Sequence, residues 1–430
     1  MSRGSYLSGC QNDSGMEIVM NKKKLFASDG FFTESGKLNV CSEEPLSVAF
    51  IGGSLTEGEV DYEGTSLKDE RFKWANLVIK FLSGMFPLRA VTAVNAGLGG
   101  TESDYGAVRF ERDVLSYSPD IVFIEFSCND RPRSVSDCEG KNKTNKQVWL
   151  ESMIRQCMAA EKVPVIIYMH VPMPLEGNML RFYRRGCEIK DEVLNYYGIT
   201  AVDAMAEFMR EYDPSLTLRD HYLKHYPVTA NGSFDVHPRA SGYKFFATAM
   251  INALIKNADK LLRPFKMREE PYCKSEKKTL ALRYNYLPAS SERISYKGNW
   301  KLYTAKDPYV CDDPETLIRA DKYVRAHQFP DGVMQTVKPS GASFTFETDA
   351  VGIYMPHVSA KAGLSATVLC DGEEVGRLTC RSPWHGMNYL EKPVWLPQGK
   401  KTVTVRVDEA TESERVFRFG YIVEVREEAV

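Results

Sequence analysis

The feature that most constrains the fold is the alternation of short apolar runs with longer amphipathic stretches over the first two-thirds of the chain. Runs of strand length lie at residues 47–51, 91–94, 121–126, 163–168 and, more weakly, 199–202. Between them, as from Phe72 to Leu82, apolar residues recur three and four positions apart, which is typical of helices with one buried face. Continuous apolar strands separated by such helices predict a parallel sheet covered on both faces. Right-handed crossovers then give an α/β fold, a three-layer α/β/α sandwich.

The pattern changes after Arg263-Pro264, where a polar and charged stretch is followed by segments with a period of two. These segments include residues 343–348, 401–407 and 415–423, and Asp371-Gly372 between two of the apolar runs indicates a hairpin. Several short strands of this kind predict a C-terminal antiparallel β-sandwich with jelly-roll-like topology. We therefore expect an N-terminal extension at 1–44, an α/β domain at 45–265, a linker at 266–280 and a β-sandwich accessory domain at 281–430.

Composition excludes several classes of partner. With 55 basic and 57 acidic residues the net charge is -2, so the chain has no general attraction for nucleic acid or anionic lipid. No apolar run approaches the roughly 18 residues of a membrane span, and the start lacks the apolar core of a secretion signal. The 10 cysteines form no CxxC motif and the seven histidines no HExxH motif. We expect a cytoplasmic protein with no metal and no cofactor; its oligomeric state stays open, a homo-oligomer being one alternative.

Four polar segments fall where a parallel sheet would bring them together. Three follow the first three strands and contain Gly52-Gly53-Ser54, Asn95 to Thr101, and Ser127 to Asp130; the fourth, Asp235 to Pro238, precedes the last helix. The carboxyl ends of parallel strands lie at one edge of the sheet, where open α/β folds bind ligands. We therefore expect residues nearly 200 positions apart to meet in one cleft.

The residue types in these segments suit nucleophilic catalysis on an ester. A serine hydroxyl such as that of Ser54 becomes a nucleophile when a neighbouring base takes its proton, and His237 is the candidate base. The oxyanion that forms needs preorganised donors, which the backbone N–H groups of Ser54 and Gly100 and the amide of Asn129 could supply. Each segment alone is more often an ordinary turn, so the prediction rests on their combination.

Together the four segments resemble the blocks of the SGNH (GDSL-type) hydrolase family. Ser54 in GGSLTEG, Gly100 in NAGLGGTES, Asn129 in FIEFSCND and His237 in DVHPRASGY match the Ser, Gly, Asn and His blocks in order. The resemblance covers about residues 45 to 262 and implies a serine hydrolase with the three-layer fold. The GxSxG elbow of the α/β-hydrolases is absent, so that alternative family is not indicated.

The last block departs from the family pattern. The family usually has an acid three residues before the histidine, but Phe234 occupies that position here and the adjacent carboxylate is Asp235. Two alternatives follow. Either the turn differs and Asp235 orients the imidazole, or a backbone carbonyl near Phe234 does so and the protein uses a Ser–His dyad. We favour Asp235 slightly.

The sequence also bears on the substrate. Residues 57–71 are polar and acidic, unlike the apolar lid of a lipase, and three of the five tryptophans, Trp300, Trp384 and Trp395, lie in the predicted sandwich. Aromatic rings stack on pyranoses, which makes Trp384 and His385 in an RSPWHGMN segment the candidate substrate-binding residues. The chain resembles two-domain carbohydrate O-acetylesterases, which implies an acetylated oligosaccharide substrate. The alternatives are a lipase or thioesterase, an acyltransferase, and a carbohydrate-binding protein without activity.

Overall fold

The computed structural model describes residues 24–58, 73–280, 282–304, 331–358, 363–380, 388–389, 393–409 and 417–427. Its N-terminal part is built on a five-stranded parallel sheet. The strands are β1 Leu46–Gly52, β2 Val91–Gly97, β3 Ile121–Glu125, β4 Val165–His170 and β5 Ala201–Asp203. They are arranged in the order β2-β1-β3-β4-β5. The chain thus winds one way from β1 to β2 and the other way from β3 onwards, and ligands bind at such a switch point.

Helices cover both faces of this sheet. In chain order they are α1 Ser54–Glu57, α2 Trp74–Met85, α3 Ser103–Asp113, α4 Gly140–Ala159, α5 Gly177–Tyr197, α6 Ala204–Arg210, α7 Leu218–Leu223 and α8 Ala240–Leu261. Val48 and Phe50 of β1 pack in one core with side chains of α2 and α8. Ala49 and Ile51 pack in another with side chains of α3, α4 and α5. Alternate residues of a strand point to opposite faces, so a strand buried on both sides is apolar throughout.

The C-terminal part consists of antiparallel strands. They are β6 Leu282–Pro288, β7 Ser295–Tyr303, β8 Val333–Thr348, β9 Gly352–Tyr354, β10 Ser365–Cys370, β11 Glu373–Thr379, β12 Val394–Trp395, β13 Lys401–Val407, β14 Arg418–Phe419 and β15 Tyr421–Glu427. One sheet has the order β11-β10-β13-β8-β14, with β7 also paired to β8, and the other the order β12-β9-β15-β6. Phe344, Val403 and Ile422 are among the side chains buried in the core of this domain. The predicted fold class, a three-layer α/β sandwich followed by a β-sandwich, is confirmed.

Two short pairings lie outside these sheets. Leu25–Phe26 pairs in parallel with Lys162–Val163, and His357–Val358 pairs antiparallel with Asn388–Tyr389. The segment predicted as a linker packs closely, since the backbone N–H groups of Tyr272 and Cys273 donate to the buried Glu151 carboxylate at 2.6 and 2.8 Å. It ends in a one-turn helix, α9 Lys277–Leu280. The domain boundaries themselves stay a prediction.

Helix α3 carries the contact between the two parts. The hydroxyl groups of Tyr105 and Tyr421 are hydrogen-bonded at 2.9 Å. The Arg112 guanidinium lies over the Tyr421 ring at 4.4 Å and the Tyr286 ring at 5.0 Å from their centroids. The Tyr286 hydroxyl also donates to the carbonyl of Val108. Within the ranges described above, none of the helices has both the length and the hydropathy to cross a bilayer.

Candidate active site

Ser54 begins a four-residue helix directly after the first strand of the sheet. Gly53 precedes it in an extended conformation, and Gly58 ends the helix with a left-handed φ of 77°. Ser54 is 7% exposed. Its hydroxyl is therefore fixed at the carboxyl end of β1, at the switch point between β1 and β3.

The His237 ring lies between Ser54 and Asp235. Its Nε2 atom is 2.7 Å from Ser54 Oγ, and its Nδ1 atom is 2.8 Å from Asp235 Oδ1. The Asp235 and His237 side chains are 41% and 30% exposed, so the site opens to solvent. The hydrogen bond from His237 holds the pKa of Asp235 below its ordinary value. An ionised Asp235 selects the tautomer with hydrogen on Nδ1, which leaves Nε2 free to accept the serine proton.

The unusual spacing of acid and base has a local cause. Asp235 Oδ1 also accepts the backbone N–H of His237 at 2.9 Å, which closes a tight turn of the Asx type. The same oxygen therefore meets both the backbone and the ring of a residue two positions later. Phe234 packs away from the site, with its ring 5.6 Å from that of Tyr222 and beneath the Arg219 guanidinium. An acid at 234 would face an aromatic cluster instead of the imidazole.

Asn129 and Gly100 lie on the two loops beside Ser54. The Asn129 amide donates to the carbonyl of Thr101 at 2.7 Å, and an amide nitrogen carries a second N–H. Gly53 permits this approach, because a Cβ atom at Gly53 would lie 2.6 Å from Asn129 Nδ2. Gly100 has a left-handed φ of 74°, which glycine adopts without strain. These positions suit an anion that develops next to Ser54.

Two glutamates that the sequence analysis did not single out support these loops. Glu57, at the end of α1, accepts the backbone N–H of Gly99 at 2.8 Å. Glu125, the last residue of β3, is 1% exposed and accepts the Ser127 hydroxyl at 2.9 Å. Burial raises the pKa of Glu125. A polar residue that ends an otherwise apolar strand, as in FIEFSCND, is the sequence signal that could have identified Glu125.

Trp384 and His385, predicted to bind substrate, lie outside the described residues. His221 and His225 belong to an aromatic cluster, in which the Phe208 and His221 rings are 4.3 Å apart and His221 Nε2 is 3.1 Å from the Phe208 carbonyl. In the part of the chain that the structure describes, His, Cys, Asp and Glu side chains form no group of three suited to a metal ion.

Comparison with known proteins identifies a matching family and one curated relative. Residues 50–245 match the GDSL-like Lipase/Acylhydrolase family. The uncharacterized lipoprotein YqeF of Bacillus subtilis (strain 168) is 32% identical over 87 residues. That alignment covers 20% of this chain and 34% of YqeF, so the chain spans about one third of its relative's length.

Comparison with solved structures covers both parts of the chain. A two-domain esterase (CEX) active on acetylated mannans, crystallised with mannopentaose, superposes with a TM-score of 0.61 at 19% identity, covering 91% of this chain and 94% of the other. A second structure of a two-domain esterase (CEX) active on acetylated mannans gives a TM-score of 0.59 at 19% identity, with 90% and 93% covered. At this identity the similarity establishes the fold, including the order of the α/β and β parts.

Proposed function

We propose, on the premise that residues 50–245 belong to the GDSL-like Lipase/Acylhydrolase family, that this protein is a serine esterase that removes O-acetyl groups from carbohydrates. The observation that supports the proposal is the line of hydrogen bonds from Asp235 through His237 to Ser54, with distances of 2.8 and 2.7 Å. Nucleophile, base and orienting acid in one hydrogen-bonded line form an arrangement that recurs among acyl-transfer enzymes.

In the acylation step, Ser54 Oγ attacks the acetyl carbonyl carbon while His237 Nε2 takes the hydroxyl proton. The carbonyl oxygen becomes an oxyanion that the N–H groups of Ser54 and Gly100 and the amide of Asn129 stabilise. The carbon–oxygen bond to the sugar then breaks, and His237 returns the proton to the departing sugar oxygen. Acetyl-Ser54 and a free sugar hydroxyl result.

In the deacylation step, water replaces the sugar. His237 takes a proton from the water molecule as it attacks the acetyl-Ser54 carbonyl, and the same donors stabilise the second oxyanion. Acetate leaves when the bond to Ser54 Oγ breaks, and His237 returns its proton to the serine. Asp235 keeps the imidazole in one orientation and stabilises its charged form through both steps.

Acetylated oligosaccharides are the proposed substrate class. The support is the similarity over both parts of the chain to a two-domain esterase active on acetylated mannans, together with the aromatic residues of the C-terminal domain. Trp384 and His385 are proposed to contact the sugar. The cytoplasmic location stays a prediction, and the relative YqeF is described as a lipoprotein.

The first experiment tests for an activated serine. The native protein should react with a fluorophosphonate probe and release acetate from acetylated manno- or xylo-oligosaccharides, because both need a nucleophilic hydroxyl. Ser54→Ala should abolish labelling and lower kcat by about 10³-fold or more, which is the scale of loss seen when a member of a catalytic triad is replaced. Ser83→Ala is the matched control, since Ser83 is exposed on α2 and donates to the Ile79 carbonyl.

The second experiment tests the substrate class. Hydrolysis rates are compared for acetylated oligosaccharides, short aryl esters and long-chain acyl esters. Activity confined to long-chain esters would refute the carbohydrate assignment and leave the serine mechanism intact. Transfer of acetyl to a second sugar would identify an acyltransferase, and absence of fluorophosphonate labelling in folded protein would refute the enzyme assignment.

A further inference from the structure

A buried carboxyl group lies directly beneath the candidate active site. We propose that Glu125 is a positioning residue that joins the turn carrying Ser54 to the turn carrying Asn129. This inference rests on the proposed esterase function. It adds a residue other than the Ser, Gly, Asn and His for which the four motif blocks are named. Glu125 touches neither the proposed nucleophile nor the proposed base and acts through neighbouring groups of the two turns.

The two carboxyl oxygens of Glu125 serve different turns. Oε1 accepts the Ser127 hydroxyl at 2.9 Å and the backbone N–H of Cys128 at 3.4 Å. Oε2 is 3.4 Å from Thr56 Oγ1. Ser127 and Cys128 immediately precede Asn129, and Thr56 is two residues after Ser54. The carboxyl group therefore bridges the nucleophile helix and the oxyanion loop from below.

Close packing keeps this bridge short. A Cβ atom at Gly52 would lie 2.2 Å from Thr56 Oγ1 and 2.3 Å from the Glu125 carbonyl oxygen. Any larger residue at Gly52 would push α1 away from β3. The Ser127 hydroxyl also accepts the backbone N–H of Val171 at 3.2 Å, which ties in the turn after β4. One buried acid thus connects the turns after three neighbouring strands.

The surroundings of Glu125 favour its neutral form. The titratable groups that face it are Asp130 and Cys128 from its own turn and Tyr168, Tyr183 and Tyr226 from neighbouring elements. The nearby cations are engaged by other groups: Lys190 Nζ lies 3.5 Å from Asp130 Oδ2, and Arg131 donates to the Cys128 carbonyl. Burial raises the pKa of Glu125. Ser127, Cys128 and Thr56 are all placed to donate to Glu125, and a neutral carboxylic acid keeps oxygen acceptors for them.

The test compares two substitutions that differ in hydrogen bonding. Glu125→Gln keeps an acceptor and a donor in the same shape, whereas Glu125→Ala removes both and leaves the turns unlinked. We expect E125A to lower kcat for aryl acetate about 10²-fold with KM within threefold, because small misplacements of oxyanion donors have effects of that size. E125Q should stay within about fivefold of native kcat, the rescue expected when a neutral acid is replaced by its amide.

A matched control separates positioning from general destabilisation. Glu151 is also fully buried, but its carboxylate accepts hydrogen bonds from Tyr197 and residues 272–273, remote from both turns. E151A should lower Tm and leave kcat per folded molecule unchanged. If E125A does not fold, Ser127→Ala removes one arm of the bridge, and a fall in kcat of about fivefold with unchanged KM is expected.

The pH dependence of stability tests the protonation state. An acid whose folded pKa is raised keeps its proton when the unfolded chain loses it, so folding becomes less favourable as pH rises from the unfolded value to the folded one. The Tm of the native protein should therefore fall relative to that of E125Q between about pH 4.5 and the pKa of Glu125 in the folded protein. Above that pKa, the Tm difference between the two proteins should stay constant. A Tm difference that is independent of pH would refute the neutral acid.

The outcomes distinguish this inference from the proposed function. Native protein that hydrolyses no acetyl ester and takes up no fluorophosphonate would refute the esterase. Native protein that is active, with E125A or S127A of unchanged kcat, would refute the positioning role alone. E125Q as inactive as E125A would show that a carboxylate is required and would also overturn the inference.

Discussion

Replacing Gly53 by alanine tests whether the Asn129 amide acts as an oxyanion donor. The backbone at Gly53 is extended, with φ -84° and ψ -154°, so an alanine there needs no positive φ and the substitution introduces one methyl group. The added Cβ would lie 2.6 Å from Asn129 Nδ2, where ordinary contact begins at 3.4 Å. The amide must then retreat by about 0.8 Å, the difference between these two distances.

A shift of this size should impair the transition state more than substrate binding. Misplacing a catalytic group by about 1 Å costs on the order of 10²-fold, and losing one oxyanion donor costs about 10²–10³-fold. We expect G53A to lower kcat for aryl acetate about 10²-fold, with KM changed less than threefold. Steady-state kinetics on aryl and sugar acetates give both parameters.

Two further variants make the G53A result specific. Gly84→Ala is the control, because Gly84 lies within α2 and a Cβ atom there would meet nothing within 4 Å. This variant should leave kcat unchanged and stabilise the helix by about 0.5–1 kcal/mol. Asn129→Ala should lower kcat as G53A does, and the double variant should be little worse than N129A alone. Effects that add fully, or a G53A kcat within threefold of native, would refute the assignment of Asn129 as the displaced donor.

Two other predictions concern the acid and the domain contact. Asp235→Asn should lower kcat by about 10²–10⁴-fold at unchanged fold, because the amide favours the wrong tautomer of His237, whereas a loss below tenfold would favour the Ser–His dyad. Tyr421→Phe should destabilise the protein by about 1–3 kcal/mol in urea unfolding, because the buried Tyr105 hydroxyl loses its partner, and kcat should be unchanged. The Y105F/Y421F double variant should regain stability. Equal stability of the native protein and Y421F would contradict the contact.

Local patterns predicted those parts of the fold in which local and global preferences agree. The run Ser47–Ile51 is apolar because alternate side chains enter two separate cores, and β1 indeed extends over Leu46–Gly52. Asp371 and Gly372 both have positive φ, at 49° and 92°, which is the turn that their sequence favours between β10 and β11. In these segments a few neighbouring residues determine the outcome.

Local patterns carry less information where distant residues determine the outcome. The charged segment 266–280 has the composition of a linker, but the buried Glu151 of α4 accepts two of its backbone N–H groups. Phe31, in the predicted N-terminal extension, is buried in the α/β core with its ring 5.7 Å from that of Phe86. Neither partner can be read from the local sequence, because both contacts join residues far apart in the chain.

The candidate site illustrates the same division. The four motif blocks predicted which side chains meet, because parallel strands deliver their carboxyl ends to one edge. The backbone groups that hold the blocks in place required the structure. Arg109 is 2% exposed and donates to the carbonyl of Gly52 at 3.3 Å, and Asp130 accepts the backbone N–H of Ser103 at 2.9 Å. Both side chains are buried, so these two hydrogen bonds can form in only one arrangement of the turns.

Helix α3 links this support to the C-terminal domain. Its first residue, Ser103, is held by Asp130 beside Asn129, and Arg109 in its middle holds the strand end before Ser54. Tyr105, on the same helix, meets Tyr421 of the antiparallel domain at 2.9 Å. A helix transmits displacement along its axis more readily than a loop does, so we expect a domain docked on α3 to restrain both the Ser54 turn and the Asn129 loop. The unchanged kcat expected for Y421F follows from redundancy, since Arg112 and Tyr286 keep the same helix docked when that one hydrogen bond is lost.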